Sequence, residues 1–116
     1  MIAVIGLGFI GLTTALGFSH YGHKVFGVDS DHSRLRLLKK NRIPFHEPHL
    51  KEALEAQQNK NFFICDSISE CLDRCEIIFF CVGTPCLENG LVDLNPLKTA
   101  IGETISKTHP GEEKLL

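Results

Sequence analysis

The sequence predicts an α/β fold of the Rossmann type, a parallel sheet with helices on both faces, and three observations carry that prediction. Short apolar runs rich in β-preferring residues alternate with stretches of helical periodicity. A glycine pattern, "GLGFIG" from Gly6 to Gly11, lies between the first run and the first helical stretch. An aspartate, Asp29, ends the second run eighteen residues after Gly11.

Met1 to Ile5 is a continuous apolar run, the pattern of a strand buried on both faces. Phe9 to Tyr21 carries Ile10, Leu12, Leu16 and Phe18 at helical spacing, with small Ala15 and Gly17 between them and Gly22 placed as a C-cap. "KVFGVD" (Lys24 to Asp29) is a second strand. A helix capped by Ser30 or Asp31 then runs to about Lys40. Pro44 and Pro48 break regularity across Asn41 to Leu50, and Pro48 starts a helix to about Gln58. Phe62 to Cys65 is a short third strand, Ile68 to Arg74 a short helix and Glu76 to Val82 a fourth strand. "GTPCLENGLVD" is a loop whose Asn89-Gly90 marks a turn, although its flanks lack hairpin alternation. A last helix, capped by Asp93 or Asn95, runs to about Lys107. The expected strand order is 3-2-1-4, and "EEKLL" reads as the first residues of a fifth strand.

With 116 residues the chain suits one domain, and its net charge of −2 offers no basic surface for nucleic acid. The longest apolar runs, Met1 to Phe9 and Ile77 to Gly83, are too short to span a bilayer. No basic stretch precedes the N-terminal run, so no signal peptide is expected, and the cytoplasm is the expected compartment.

The five cysteines form no CxxC pair and read as reduced thiols. Cys71 and Cys75, four apart on a predicted helix, are read as packing rather than as metal ligands, and Cys65 and Cys81 as small hydrophobes inside strands. His46 and His49 flank Glu47-Pro48 without a further cluster, so they are read as solvent-facing loop residues. No metal site, catalytic triad or carboxylate pair emerges.

What does emerge is a dinucleotide site, because the glycines follow a buried strand, open a helix and precede a strand-ending carboxylate. Gly6 permits the tight turn, Gly8 lets the backbone approach a pyrophosphate, and Gly11 lets helix and strand pack closely. The N–H groups around Phe9 and Ile10, at the positive end of the helix dipole, attract the phosphates. Asp29 accepts from the ribose hydroxyls and repels a 2′-phosphate, which favours NAD over NADP. The alternative for Asp29 is an N-cap of its own helix. Arg34 either contacts the ribose or adenine or is a solvated helix charge. Gly83 and Thr84, beyond the end of the fourth strand, face the nicotinamide half or merely turn the chain.

Four segments, "IAVIGLGFIGL", "GHKVFGVDSDHSRL", "IPFHEPHLKEAL" and "IIFFCVGTP", followed by an Asn-Gly loop and "VDLNPL", resemble the NAD-binding N-terminal domain of the UDP-glucose/GDP-mannose dehydrogenase family over nearly the whole chain. The EPxL and VGTP elements are the specific part. The resemblance implies an NAD-dependent enzyme that oxidises the C6 alcohol of a UDP-glucose-like nucleotide sugar to a carboxylate with two NAD, through a cysteine-bound intermediate. It implies that residues 1–116 are the N-terminal part of a longer chain, inactive alone, whose central and C-terminal domains supply the catalytic residues and most of the substrate site. It also implies a homodimer at full length. By position it gives the pyrophosphate to Gly6–Gly11 and notably Ile10, the ribose to Asp29, the adenosine to Arg34, the nicotinamide half to Thr84 and the active-site border to the loop around Glu47. Phe9 stands where the family commonly has tyrosine, and His49 where it commonly has glycine. A non-catalytic NAD-sensing regulatory module is the second expectation.

Overall fold

The computed structural model describes residues 1–116. Strands β1 (Ile2–Ile5), β2 (Val25–Val28), β3 (Phe62–Cys65) and β4 (Ile77–Phe80) form one parallel sheet in the order β3-β2-β1-β4. Ile5 lies opposite both Val28 and Phe80, and Val28 opposite Cys65, so all four carboxyl ends finish in line along one edge.

Alternate residues of each strand feed two cores. Ile2, Val4, Val25 and Phe62 pack with Leu12 and Leu16 of α1 (Phe9–His20), Leu35 and Leu38 of α2 (His32–Lys39) and Leu50 and Leu54 of α3 (Leu50–Gln57). Ala3, Ile5, Phe26, Val28 and Ile78 pack on the other face with Ile68, Cys71, Leu72 and Cys75, and Ala100 of α4 (Asn95–Lys107) lies against them. A sheet covered on both faces explains why its strands are continuous apolar runs without alternation.

Four local expectations are corrected. The segment Ile68 to Arg74 is two 3-10 turns, Ile68–Glu70 and Leu72–Arg74, rather than an α-helix. The run is too short to propagate an α-helix, and the Glu70 carboxylate accepts from the Ser67 N–H at 3.0 Å, closing the first turn locally. Its apolar residues still share one buried stripe. Helix α3 starts at Leu50 instead of Pro48, because His49 before it takes left-handed geometry, φ +64°. Leu94 precedes α4 as its cap residue without a side-chain bond, while Asp93 accepts instead from the Asn95 N–H at 2.9 Å. In the 83–94 loop, Cys86 and Val92 form an antiparallel bridge, with the Leu87 N–H donating to Leu91 and the Asp93 N–H to Pro85, each at 2.7 Å. Backbone pairing there follows from the turn at Asn89-Gly90. The side chains it carries are nearly all exposed, so no alternation marks it in the sequence.

Near the end of the chain, Leu115 forms a parallel bridge to Ile77 on the edge of β4 away from β1. Its N–H donates to Glu76 at 2.9 Å, and its carbonyl accepts from Ile78 at 2.8 Å. This is the pairing expected of "EEKLL". No helix is long and apolar enough to cross a membrane.

Candidate cofactor cleft

A cleft of about 1080 Å³ opens at the carboxyl ends of β1, β2 and β4. Its floor is the glycine turn. Gly6 has φ +92°, and a Cβ there would stand 2.7 Å from the Cys81 carbonyl atoms, so both conformation and space demand glycine. At Gly11 a Cβ would overlap the Gly6 carbonyl oxygen, because α1 leaves the sheet directly over the turn. Nothing lies within 4 Å of a Cβ at Gly8. That position faces open space.

The first hydrogen bond of α1 runs from the Leu12 N–H to the Gly8 carbonyl at 2.9 Å, leaving the N–H groups of Phe9, Ile10 and Gly11 without an intrahelical partner. No side chain caps this end and no acidic residue stands in the first turn. Phe9 and Ile10 are 50% and 69% exposed beside it. An uncapped, uncharged helix start at the head of a cleft is suited to an anionic ligand with an apolar part.

Asp29, directly after β2, lines the same cleft and is nearly fully buried. One carboxylate oxygen, Oδ2, accepts from the Leu7 N–H at 2.6 Å and from Arg34 Nη1 at 2.8 Å, and Oδ1 accepts from the Asp31 N–H at 2.8 Å. These bonds compensate the cost of burying the charge. The carboxylate also ties the glycine turn to the end of β2. It does not cap α2: Asp31 does, accepting from the N–H groups of Ser33 at 2.9 Å and Arg34 at 3.1 Å. Those bonds, led by the one from Arg34, hold the Asp31 carboxyl below its ordinary range.

A carboxylate offers about four acceptor positions, so three bonds leave one at Asp29 for a ligand hydroxyl. Arg34 is committed to Asp29 and lies in the cleft wall rather than standing free in solvent.

Gly6, Gly8, Phe9, Ile10, Asp29, Arg34, Gly83 and Thr84 all line this one cleft, and Gly11 lies beneath it. One wall of the cleft is marked by no motif in the sequence. Asn95, Thr99, Glu103 and Lys107 of α4 also line the cleft, and so do His32 and Ser67. The signal for the α4 residues was a polar stripe at helical spacing. The loop residues Glu47 and His49 are exposed and do not line it.

The NAD-binding domain of the UDP-glucose/GDP-mannose dehydrogenase family matches residues 1–114. This chain belongs to that family. Among relatives, a putative UDP-glucose 6-dehydrogenase of Bacillus subtilis is 34% identical over 102 residues, covering 88% of this chain and 23% of that protein. A UDP-glucose 6-dehydrogenase of Pseudomonas aeruginosa is 37% identical over 95 residues, covering 81% of this chain and 21% of that protein. Among solved structures, a ternary complex of GDP-mannose dehydrogenase from Pseudomonas aeruginosa superposes with a TM-score of 0.90 at 28% identity, over 98% of this chain and 26% of that one. The chain thus spans about a quarter or less of the length of these relatives.

As an NAD-binding domain of this family, the chain has a cleft whose open glycine, uncapped helix and buried carboxylate fit the cofactor. The departure at His49 also has a physical meaning: at φ +64° glycine sits without strain and histidine does not.

Proposed function

We propose that this chain is the cofactor-binding part of a nucleotide-sugar 6-dehydrogenase that oxidises the C6 alcohol of a UDP-glucose-like substrate to a carboxylate. The conversion removes four electrons, taken as two hydrides by two NAD molecules in succession, with one water consumed. The observation that carries the reading is that the buried Asp29 carboxylate and the uncapped start of α1 line one cleft.

In this reading the N–H groups of Phe9 and Ile10 hold the pyrophosphate and the Gly8 backbone lets it approach. Asp29 accepts from a ribose hydroxyl. Arg34, held by its ion pair with Asp29, lies on the adenosine side. A 2′-phosphate meets the Asp29 carboxylate at close range, and the guanidinium that would neutralise it is already paired. Gly83 and Thr84 border the nicotinamide half, and the substrate site and catalytic groups lie in domains outside residues 1–116. The protein is cytoplasmic, and a homodimer at full length. Alone, this domain orients one of two reactants and is inactive.

Calorimetric titration of the chain with NAD and NADP tests the reading. NAD is expected to bind more tightly than NADP, and Asp29→Ala to weaken NAD binding by about tenfold or more, as for loss of a charged hydrogen bond. An unchanged dissociation constant in a variant shown to be folded by circular dichroism removes Asp29 from the site. A change of oligomeric state on adding NAD or NADH points instead to the sensing module.

A further inference from the structure

The cleft treats an incoming phosphate in opposite ways at its two ends. At the start of α1 no side chain caps the helix and no acidic residue stands in the first turn, so the N–H groups are open to an anion. At the start of α2 and the end of β3, carboxylates already occupy the backbone donors. Asp31 accepts from the Ser33 and Arg34 N–H groups, and Asp29 from that of Asp31. Glu70 Oε1 accepts from the N–H groups of Asp66 and Ser67, each at 3.0 Å. The cations there are committed in the same way. Arg34 Nη1 lies 2.8 Å from Asp29 Oδ2, and Lys39 Nζ lies 2.7 Å from Asp66 Oδ1.

The order of the strands decides what this second region can meet. From β1, which leads into α1, the carboxyl edge passes over β2 to β3. Val28 and Cys65 are register partners, so Asp29 and Asp66, each directly after its strand, leave neighbouring strands that lie about 4.8 Å apart. Both line the cleft. Asp29 is buried beneath its hydrogen bonds, whereas the Asp66 side chain is 61% exposed, so its charge is presented to whatever enters. The hydrogen bond from Lys39 holds the Asp66 carboxyl below its ordinary range, which keeps it ionised at neutral pH. A dinucleotide with its pyrophosphate at α1 and its ribose at Asp29 extends its adenosine end towards Asp66.

Given the NAD site of the proposed function, we propose that Asp66, with Lys39 held against it, is a specificity-determining residue that repels a 2′-phosphate on the ribose seated at Asp29. Preference for NAD over NADP then rests on two carboxylates at adjacent strand ends, each occupying the cation that would otherwise meet the phosphate. Replacing Asp66 by asparagine has two consequences of the same sign for NADP. The repulsion disappears, and Lys39 is released as a free cation beside the cleft.

The test is calorimetric titration of the whole chain with NAD, and with NADP in competition against NAD, at low ionic strength. Asp66→Asn is expected to raise the affinity for NADP relative to NAD by about threefold to tenfold, the scale of one like charge acting through a partly solvated cleft. Part of that gain should vanish when Lys39→Met is added, and the gain should shrink in raised salt. Lys39→Met alone leaves Asp66 without its counter-ion and is expected to move the ratio the other way. A merely structural role for Asp66 would change both affinities alike, so an unchanged ratio in a variant shown to be folded by circular dichroism overturns the proposal. Where Asp66→Asn does not fold, an unchanged ratio in Lys39→Met overturns it equally. If the unsubstituted chain binds neither cofactor, the cofactor reading falls and this role with it, whereas NAD binding with an unmoved ratio removes Asp66 alone.

Discussion

Strands β1 and β4 pair side by side, yet they sit in different surroundings. Every residue of β1 and β2 is buried, whereas in β4 only Ile78 is. Helix α1 buries five residues against the sheet, and α4 buries one, Thr104. Around α4, Leu91, Val92 and Ile105 are more than half exposed. In the β1-α1-β2 region the residues that line the cleft are also under packing demand, since Gly6 lines it and leaves no room for a Cβ. Around β4, Gly83 and Thr84 line the cleft under no packing demand: both are exposed, and a Cβ at Gly83 would meet nothing within 4 Å.

The sharpest way to break this comparison is a matched pair of glycine substitutions. Gly11→Ala puts a Cβ into the Gly6 carbonyl, and both partners are backbone, so relief requires α1 to move off the turn. A loss of about 3 kcal/mol or more is expected, beyond the usual range for overpacking. At Gly83 a Cβ meets nothing within 4 Å and φ is unremarkable for any residue, so Gly83→Ala is expected to stay within about 0.5 kcal/mol. Urea denaturation of both variants measures the difference. Equal losses would mean that the two regions are constrained alike.

The same contrast explains what the sequence made legible. The turn at Gly6, the close approach at Gly11 and the carboxylate at Asp29 are local demands within thirty residues, and each leaves its own residue type behind. The α4 wall of the cleft was not legible, because Asn95, Thr99 and Glu103 meet the site only through the tertiary placement of their helix. The cysteines show a third case. Their helical spacing identified the buried stripe, but 3-10 or α geometry depends on where Ser67 and Glu70 close the turn. His49 was marked in the sequence only by standing where the resemblance has glycine, and its left-handed φ shows in the structure alone.

That strain supplies a smaller and opposite test. Left-handed geometry costs an L-residue roughly 1–2 kcal/mol, while glycine raises the entropy of the unfolded chain by part of that amount. His49→Gly is therefore expected to stabilise the chain by about 0.5–1 kcal/mol, read as a rise in the denaturation midpoint. His49 is exposed and its side chain caps nothing, so no contact is lost to offset the gain. A decrease would show that the loop before α3 holds histidine for a contact made outside these residues.

The smallest expected effect is acid destabilisation through two exposed carboxylates, Asp31 at the start of α2 and Asp66 directly after β3. Hydrogen bonds from the Arg34 and Ser33 N–H groups lower the Asp31 pKa, and that from Lys39, at 2.7 Å, lowers the Asp66 pKa. In each case the folded carboxylate binds its proton more weakly than the unfolded one, whose pKa is about 3.9. The stabilisation is thus present in full above that value and is lost as pH falls through the lower folded values. Denaturation midpoints should be flat near neutrality and decline below about pH 4. Asp66→Asn should lower the neutral plateau slightly and make the decline shallower, because the Lys39 pair no longer disappears with protonation. Raised ionic strength should shrink the Asp66 part, since both partners are solvated, and spare more of the Asp31 part, whose donors are backbone N–H groups fixed by α2. A decline that is equally steep in Asp66→Asn would place the acid sensitivity elsewhere in the chain.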